Sequence, residues 1–296
     1  MSRTLRGVAL MAALLLSAPT AFADRDIHES AQVHPKGEVE VSNIAGSVRV
    51  TGWDRDVVEV TGMLGSGVED LEFRTEGRYT LIKVRMPRNG RSGGSDLEIS
   101  MPASGRLTVG TVSSDTTVQG VQGALRLQTV SGNIETDVFG EDAQLKTVSG
   151  DVIVQGTDEA GLLTITTVSG DVGLREVRGE IVVQTVSGDV EAESTELERA
   201  RIRTTNGDAD LRTGLASGAR VEMEAVNGDL ALTIKGEPDA EFNIETFNGD
   251  IRNDFGPEPV RTSRYAPGRE LRFSERDGSA RVGIKTLNGA IILRTD

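Results

Sequence analysis

Aspartate recurs at one place in a motif that repeats along this chain, in most copies directly after Gly. The copies are spaced 18 to 21 residues apart, and Asn stands at one of the positions. Carboxylate oxygens are the hard ligands that calcium prefers. A row of these side chains could therefore form a cation-binding stripe, with Asp151, Asp171, Asp189 and Asp208 as its central ligands. The remaining members of the set are Asp115, Asn133, Asp229 and Asp250.

The same aspartates have a structural interpretation that needs no metal. Asp and Asn side chains commonly accept a backbone N–H at their own turn. Carboxylates about 4.8 Å apart in water repel each other by about 0.9 kcal/mol, less than the about 1.5–3 kcal/mol of a charge-assisted hydrogen bond. Asn133 keeps the acceptor without the charge, and the nonapeptide spacing of calcium-binding β-rolls is absent. We therefore predict turn chemistry with no metal and no cofactor; the cation stripe is the alternative.

Other groups that could do catalysis are sparse. The chain has no Cys, and its two histidines, His28 and His34, are spaced like no zinc motif. A Ser triad would have to use one of those histidines. Carboxylate pairs could form among the 46 acidic residues, and β-solenoids that cleave polysaccharides use such pairs on an outer face. We predict a non-enzymatic protein without catalytic residues; the alternative is a polysaccharide-acting β-solenoid enzyme, a lyase or a glycoside hydrolase.

Short strands must position these side chains, because apolar residues alternate on both sides of the repeated motif. Val152 and Val154 alternate after one copy, and Leu163 and Ile165 alternate before the next. A period of two indicates strand. Each repeat therefore holds two short strands and one turn of nearly fixed sequence. The turns are TVSSD from Thr111, TVSGN from Thr129, TVSGD from Thr147, Thr167 and Thr185, TTNGD from Thr204, AVNGD from Ala225, TFNGD from Thr246 and TLNGA from Thr286.

Two all-β architectures fit two strands per repeat. One is a single-domain β-solenoid (β-helix), in which coils of 18 to 21 residues stack on one another. The other is an antiparallel β-meander joined by Asn-Gly hairpins, since Asn-Gly is a strong hairpin signal. Length changes fall in the other turn of each repeat, whereas Thr, Val, Ser or Asn, Gly and Asp keep a fixed order. That asymmetry favours the solenoid, in which the Thr, Ser or Asn, and Asp positions form columns along one corner.

The first residues have the pattern of a secretory signal peptide over 1–23. Arg3 and Arg6 give a basic start, an apolar stretch follows, and small residues precede a cleavage point between Ala23 and Asp24. The apolar stretch is shorter than the about 20 residues needed to cross a bilayer. We therefore expect an exported protein without a transmembrane segment, in the periplasm or at the cell surface.

Beyond the signal we expect a flexible segment over 24–34 and one β-solenoid domain over 35–296. Regular repeats occupy residues 111–250. The spacing then widens, and the Pro- and Arg-rich residues 253–280 predict an insertion loop. A second break, over 86–96, is interpreted as a loop inside the same domain.

The charge balance limits the choice of partner. The formal net charge is −14, and removal of Arg3 and Arg6 with the signal would leave −16. A polyanion is a poor partner for such an acidic protein, so nucleic acid is excluded. Without Cys the chain forms neither a disulfide framework nor a lipidated N-terminal Cys.

Three stretches resemble the bacterial putative adhesin family. They are EVEVSNIAGSVRVTGWDRDVVEVTG from Glu38, LEISMPASGRLTVGTVSSD from Leu97, and the TVSGDV copies. That family is known mainly as a domain of unknown function built from β-strand repeats. The resemblance covers residues 35–296 and implies a solenoid in an exported envelope protein; it supplies no catalytic residues.

We therefore expect a non-enzymatic, adhesin-like scaffold of the cell envelope. Its acidic faces or its insertion loop would bind another envelope component: a protein, a cationic peptide or a glycan. The ends of a solenoid are open sheet edges, so the same fold could also associate end to end.

Overall fold

The computed structural model describes residues 24–87, 93–263 and 267–296, which contain strands and turns but no helix. The all-β prediction is therefore confirmed. In this part of the chain no helix has the length and apolarity to cross a bilayer. The signal peptide over 1–23, with Ala23, lies outside the described residues, as does part of the loop expected over 86–96.

The described residues form 22 strands in one sheet. Those of the N-terminal part are β1 (Arg25–Gln32), β2 (Glu38–Trp53), β3 (Val57–Leu64), β4 (Asp70–Glu76), β5 (Tyr79–Arg85) and β6 (Ser95–Pro102). The central strands are β7 (Arg106–Gln119), β8 (Leu125–Gln128), β9 (Ile134–Val138), β10 (Ala143–Lys146), β11 (Val152–Gly156), β12 (Ala160–Thr166), β13 (Val172–Gln184), β14 (Val190–Asn206), β15 (Ala209–Asn227) and β16 (Leu230–Ile234). The C-terminal strands are β17 (Ala240–Asn248), β18 (Ile251–Asn253), β19 (Val260–Arg261), β20 (Arg269–Ser274), β21 (Ala280–Asn288) and β22 (Ile291–Thr295).

The central strands pair in parallel with their equivalents one repeat away. β10 lies between β8 and β12, and β11 lies between β9 and β13. The turns follow the same register, since Ser149 bridges to Ser131 and to Ser169. An antiparallel meander would pair neighbouring strands head to tail, so that alternative is wrong for the central strands. The parallel register is that of a solenoid-like stack, and it places equivalent turn residues in columns.

The core is a single cluster of aliphatic side chains enclosed by the coils. Val152 and Val154 of β11 are fully buried, and so is Ile165 of β12. Alternate residues on the same strands point outward, as the period of two predicts. The inward face of these strands is therefore apolar, and their outward face is mostly polar.

At the N-terminal end the order of coils in space differs from their order in the chain. β2 lies between β7 on one side and β5 and β6 on the other, so the coil from β5 and β6 is outermost. Antiparallel strands cover that coil: β4 pairs with β5, and β3 with β6. The segment over 24–34, expected from the sequence to be flexible, contains β1, which is largely exposed and pairs antiparallel with β3 along its whole length.

The C-terminal end shows the same inversion. β21 lies between β15 and β17, and β22 between β16 and β18, so the last coil of the chain is inside the stack. The insertion expected over 253–280, of which residues 264–266 lie outside the described residues, contains β20, which pairs antiparallel with β17 and caps the outermost coil. Packing of apolar rings explains the cap: Phe273 of β20 stacks on Phe242 at 4.6 Å, and Phe255 meets both rings edge-on.

Candidate functional site

The repeated turn builds five parallel columns along one corner of the stack, and each column has its own environment. The Thr column is buried and the Gly column is in close backbone contact, whereas the Ser or Asn column and the Asp column are exposed. The fifth column consists of the residue between Thr and Ser or Asn. Because all five repeat in register, each environment extends along the corner.

The Asp column joins each coil to the next. The Oδ1 atom of Asp151 accepts the N–H of Asp171 at 2.9 Å, and the Oδ1 atom of Asp171 accepts the N–H of Asp189 at 2.9 Å. We expected each carboxylate to bond at its own turn; this detail is wrong, because the donor belongs to the equivalent residue one coil further on. Asp208 and Asn133 accept in the same way from their neighbours, at 2.7 and 2.9 Å.

The Asp side chains of this column are exposed, and each of these backbone hydrogen bonds uses one oxygen of the side chain. Within residues 24–87, 93–263 and 267–296, no group of three or more His, Cys, Asp or Glu side chains is placed to hold a metal ion. His28 is exposed on β1, and the Nδ1 atom of His34 accepts the N–H of Lys36 at 3.1 Å. The two histidines are therefore not brought together with the Asp column.

The Gly column exists because neighbouring coils approach too closely for a side chain. A Cβ on Gly170 would lie 2.1 Å from the carbonyl oxygen of Gly150, and the φ of Gly170 is +149°. Both facts disfavour an L residue at Gly170, although Ser114 stands at the equivalent position of an earlier coil.

The Thr column is buried but only partly hydrogen-bonded. Thr246 donates to the carbonyl of Gly289 at 2.9 Å, and Thr286 donates to that of Gly228 at 3.2 Å. Other hydroxyls of this column have no hydrogen-bond partner among the described atoms; these belong to Thr129, Thr147, Thr167, Thr185 and Thr204.

The fifth column is the feature that the sequence analysis missed. It places large apolar side chains in solvent, 39–50 % exposed, in one row with a single polar member. We call this row the apolar column; in spatial order it consists of Ile44, Val112, Val130, Val148, Val168, Val186, Thr205, Val226, Leu287 and Phe247. Thr205 is its polar interruption. The alternation Leu-x-Leu-x-Thr-Val could have revealed it, because three inward residues at period two force the following Val outward.

Polar columns flank the apolar column on both sides. On one side lie the Ser and Asn side chains; the Asn members form a ladder, in which Asn227 donates to Asn206 at 2.9 Å and Asn288 donates to Asn227 at 2.8 Å. The other side carries Gln128, Lys146, Thr166, Gln184, Arg203, Glu224, Lys285 and Glu245. Where Val226, Leu287 and Phe247 end the apolar column, a shallow groove of about 680 Å³ opens.

A second groove lies on the face formed by β11, β13 and β14. It has a volume of about 490 Å³ around Gly173, whose missing side chain leaves a notch beside the exposed Ile153. The acidic side chains Asp151, Asp171, Asp189, Glu191 and Glu193 line it. These acids would suit an enzyme of the polysaccharide-cleaving kind only if two of them faced one substrate.

One carboxyl on this face has an altered acidity. Asp210 is the strand neighbour of Glu191, and burial raises the pKa of its carboxyl, with Arg294 opposing that rise. Asp210 does not line the groove at Gly173. This acid with its raised pKa therefore stands apart from the groove that the other acids share.

A third groove, of about 650 Å³, lies where β2, β5 and β7 begin. Lys36, Arg78 and Arg106 line it together with two acids, Glu38 and Glu141. Tyr79 also lines it and donates a hydrogen bond to Glu40 at 2.6 Å, which raises the pKa of Tyr79 to about 12. The mixture of charges gives this groove no single preference for anions or cations.

A known protein family matches most of the chain. The family model described as Toastrack DUF4097 matches residues 37–178 and 91–294. No curated protein matches the chain.

The solved structures to which the chain is similar include three bacterial proteins. A putative adhesin from Bacteroides fragilis is 8 % identical, with a TM-score of 0.44 over 91 % of this chain and 97 % of that one. A putative cell adhesion protein from Clostridium sporogenes is 10 % identical, with a TM-score of 0.21 over 92 % of this chain and 100 % of that one. A putative adhesin from Parabacteroides merdae is 8 % identical, with a TM-score of 0.31 over 91 % of this chain and 96 % of that one.

TM-scores below 0.5 carry no argument about function, so the assignment depends on the family model. Its two matches extend from residue 37 to residue 294, which confirms the resemblance inferred from the repeated turns. The protein belongs to the Toastrack DUF4097 family.

Proposed function

We propose that the protein is a non-enzymatic, adhesin-like scaffold of the cell envelope, exported to the periplasm or the cell surface, that binds its partner through the apolar column. The exposure of that column carries the proposal. Val148, Val168 and Val186 are 43–45 % exposed in a row, although aliphatic residues that shortly precede them in the chain, Leu145, Ile165 and Val183, are fully buried. A contiguous apolar surface on a soluble framework marks an interaction site.

The rigidity of the corner adds to this proposal. Along the central coils each residue of the apolar column is followed by a Ser or Asn that bridges in register to the next coil, as Ser169 does to Ser187. A partner therefore meets side chains whose positions are already fixed, so little conformational entropy is lost on binding. Burial of each half-exposed Val would contribute about 1 kcal/mol, and a partner that spans several coils would gain several times that amount.

The acidic faces and the insertion over 253–280 are weaker candidates for the binding surface. Surface carboxylates on the solenoid faces are partly paired, as Glu222 is with Arg201 at 2.6 Å. β20, inside the insertion, is occupied as a cap. The enzyme alternative has less support still. It requires two carboxylates that face one substrate, and the acid whose pKa is raised, Asp210, does not line the groove that the other acids share.

Co-sedimentation with purified envelope fractions tests the proposed surface. The test variant replaces Val148, Val168 and Val186 together by Thr, the residue that the chain itself places in this column at Thr205. The matched control is Ile153→Thr, because Ile153 is 54 % exposed but lies off the column. We expect the wild type and the control to sediment with one fraction and the triple variant to remain in solution.

Salt separates the apolar column from the acidic faces as the binding surface. Apolar contacts weaken little between low and physiological salt, whereas contacts of exposed carboxylates are screened. Undiminished binding by the triple variant, or binding that salt abolishes, would contradict the proposal.

Export is tested separately. Expression of the full chain in a Gram-negative host, followed by N-terminal sequencing of the periplasmic protein, should give Asp24 as the first residue. Retention of the intact chain in the cytoplasm would contradict the assignment of residues 1–23 as a signal peptide.

A further inference from the structure

The apolar column has a repeat that few partners can match. Its members follow the strand spacing, about 4.8 Å from one coil to the next. An irregular protein surface offers no apolar residues at that spacing over many steps, and a second copy of this chain does. From Ile44 to Phe247, each level of the column has an identical level in the other copy.

The surface that two such columns would bury is large enough for a specific contact. Full burial of an aliphatic side chain removes about 60–120 Å² of apolar surface from water. At 39–50 % exposure the column therefore offers about 200–500 Å² of apolar surface per copy. Polar flanks usually supply about two-fifths of an interface, so two copies would bury about 700–1,700 Å² in total, which spans the about 1,000 Å² that a biological interface needs.

The flanking charges distinguish the two directions in which a second copy could lie. The Asp column runs on one side of the apolar column, beyond the Ser and Asn side chains. The other side carries Lys146, Arg203 and Lys285 together with Glu224 and Glu245. In an antiparallel arrangement the two Asp columns would face each other, which is costly. In a parallel arrangement each Asp column faces the mixed flank of the other copy. Lys146 and Arg203 then approach Asp151 and Asp208, while Glu224 and Glu245 approach Asp229 and Asp250, so attraction offsets a repulsion that would act alone between two Asp columns.

We propose that the protein forms a side-by-side dimer in which two copies lie parallel and in register along their apolar columns. This inference rests on the proposed function, since it takes the same column as the binding surface and names a second copy as its first partner. The dimer joins two corners and leaves the capped ends of both stacks free. It thus differs from the end-to-end association expected from the sequence.

Cysteine cross-linking tests the direction, because the chain has no Cys of its own. Val130→Cys and Val226→Cys are made as separate variants near opposite ends of the column, with Ile153→Cys as the control away from it. A disulfide needs Cα atoms about 4.4–6.8 Å apart. We expect Val130→Cys and Val226→Cys each to cross-link with itself under mild oxidation, and Ile153→Cys not to do so. Cross-links only in a mixture of the two column variants would mean an antiparallel contact and would overturn the proposal.

Sedimentation equilibrium tests the dimer itself. We expect the wild type and Ile153→Thr to dissociate on dilution from two chains to one. The triple Val148, Val168 and Val186 to Thr variant should raise the dissociation constant by about 100-fold, since three contacts are lost from each copy. Its retained circular dichroism would show that the fold is intact.

Two results of the same experiment would overturn the dimer. One is a single-chain mass for the wild type at every concentration. The other is association of the triple variant as strong as that of the wild type, which would assign the contact to the strand ends. If the wild type is monomeric while envelope binding still depends on the column, the proposed function stands and the dimer fails.

Discussion

At the scale of single residues, the Asp side chains of the turns add a hydrogen bond between neighbouring coils to those of the backbone pairing. Asn133 occupies one step of this ladder with the same hydrogen bond. The acceptor oxygen is thus the common element, and the charge is not. The chain can therefore keep the ladder without a metal, while each exposed carboxylate adds to the net negative charge.

Replacement of Asp171 tests this interpretation of the column. Asp171→Ala removes the acceptor for the N–H of Asp189 and should lower the free energy of unfolding by about 1 kcal/mol. Asp171→Asn keeps an acceptor and should match the wild type in urea denaturation. Added calcium should not change the urea midpoint of the wild type or of Asp171→Asn. A calcium-dependent rise in the midpoint of the wild type that Asp171→Asn lacks would support the cation stripe instead.

Two threonines of the buried column should respond oppositely to the same substitution. Thr167 has a buried hydroxyl without a hydrogen-bond partner among the described atoms, so Thr167→Val removes an unsatisfied group and should leave stability equal or higher. Thr246 donates to Gly289, so Thr246→Val leaves that carbonyl unpaired and should cost about 1–2 kcal/mol. Thermal unfolding of the two variants measures the difference; an equal loss in both would mean that the Thr167 hydroxyl is paired, for example with an internal water.

At the scale of the elements, the sequence predicts the existence and inward face of the strands better than it predicts their lengths. Alternating Val152 and Val154 predict β11 with its inward face. β13, β14 and β15 are longer than predicted, because the chain continues as strand through the variable turn and joins one coil to the next. The variable turn has no motif of its own, so no local signal marks that continuity.

Two glycines three residues apart separate the close corner from the open strand face. Gly170→Ala would press a Cβ against the Gly150 carbonyl and should cost about 3 kcal/mol or more, if the variant folds at all. A Cβ on Gly173 would have no described atom within 4 Å, so Gly173→Ala should stabilise the strand by about 0.5–1 kcal/mol. Urea denaturation compares the two. Similar tolerance of both substitutions would contradict the close approach of coils at the corner.

At the scale of the whole molecule, the stack protects both of its ends. Antiparallel strands cover the outermost coils, and the C-terminal coil lies between two others. Chain termini usually fray, but a terminal segment paired on both sides does not. The last coil of the chain is therefore paired on both sides within the stack and does not form its end.

Hydrogen exchange should show this arrangement directly. We expect the amides of β21 to exchange as slowly as those of the central strands, because β21 pairs with β15 and with β17. β1 pairs only with β3 among the described strands and should exchange faster. Mass spectrometry of peptides from each region measures the rates. Rapid exchange over the last coil would contradict its place inside the stack.

The sequence by itself determined the strands, their inward faces and the composition of every column, because a period of two and a fixed turn are local patterns. It also contained the apolar column, since the residue after an inward Thr must point outward. It could not determine the order of the coils at the two ends. Every coil carries nearly the same corner, so Asn288 could stack on Asn227 or on Asn248 equally well, and in the folded chain it stacks on both. Only the tertiary structure decided that order, because it depends on caps and contacts between residues far apart in the chain.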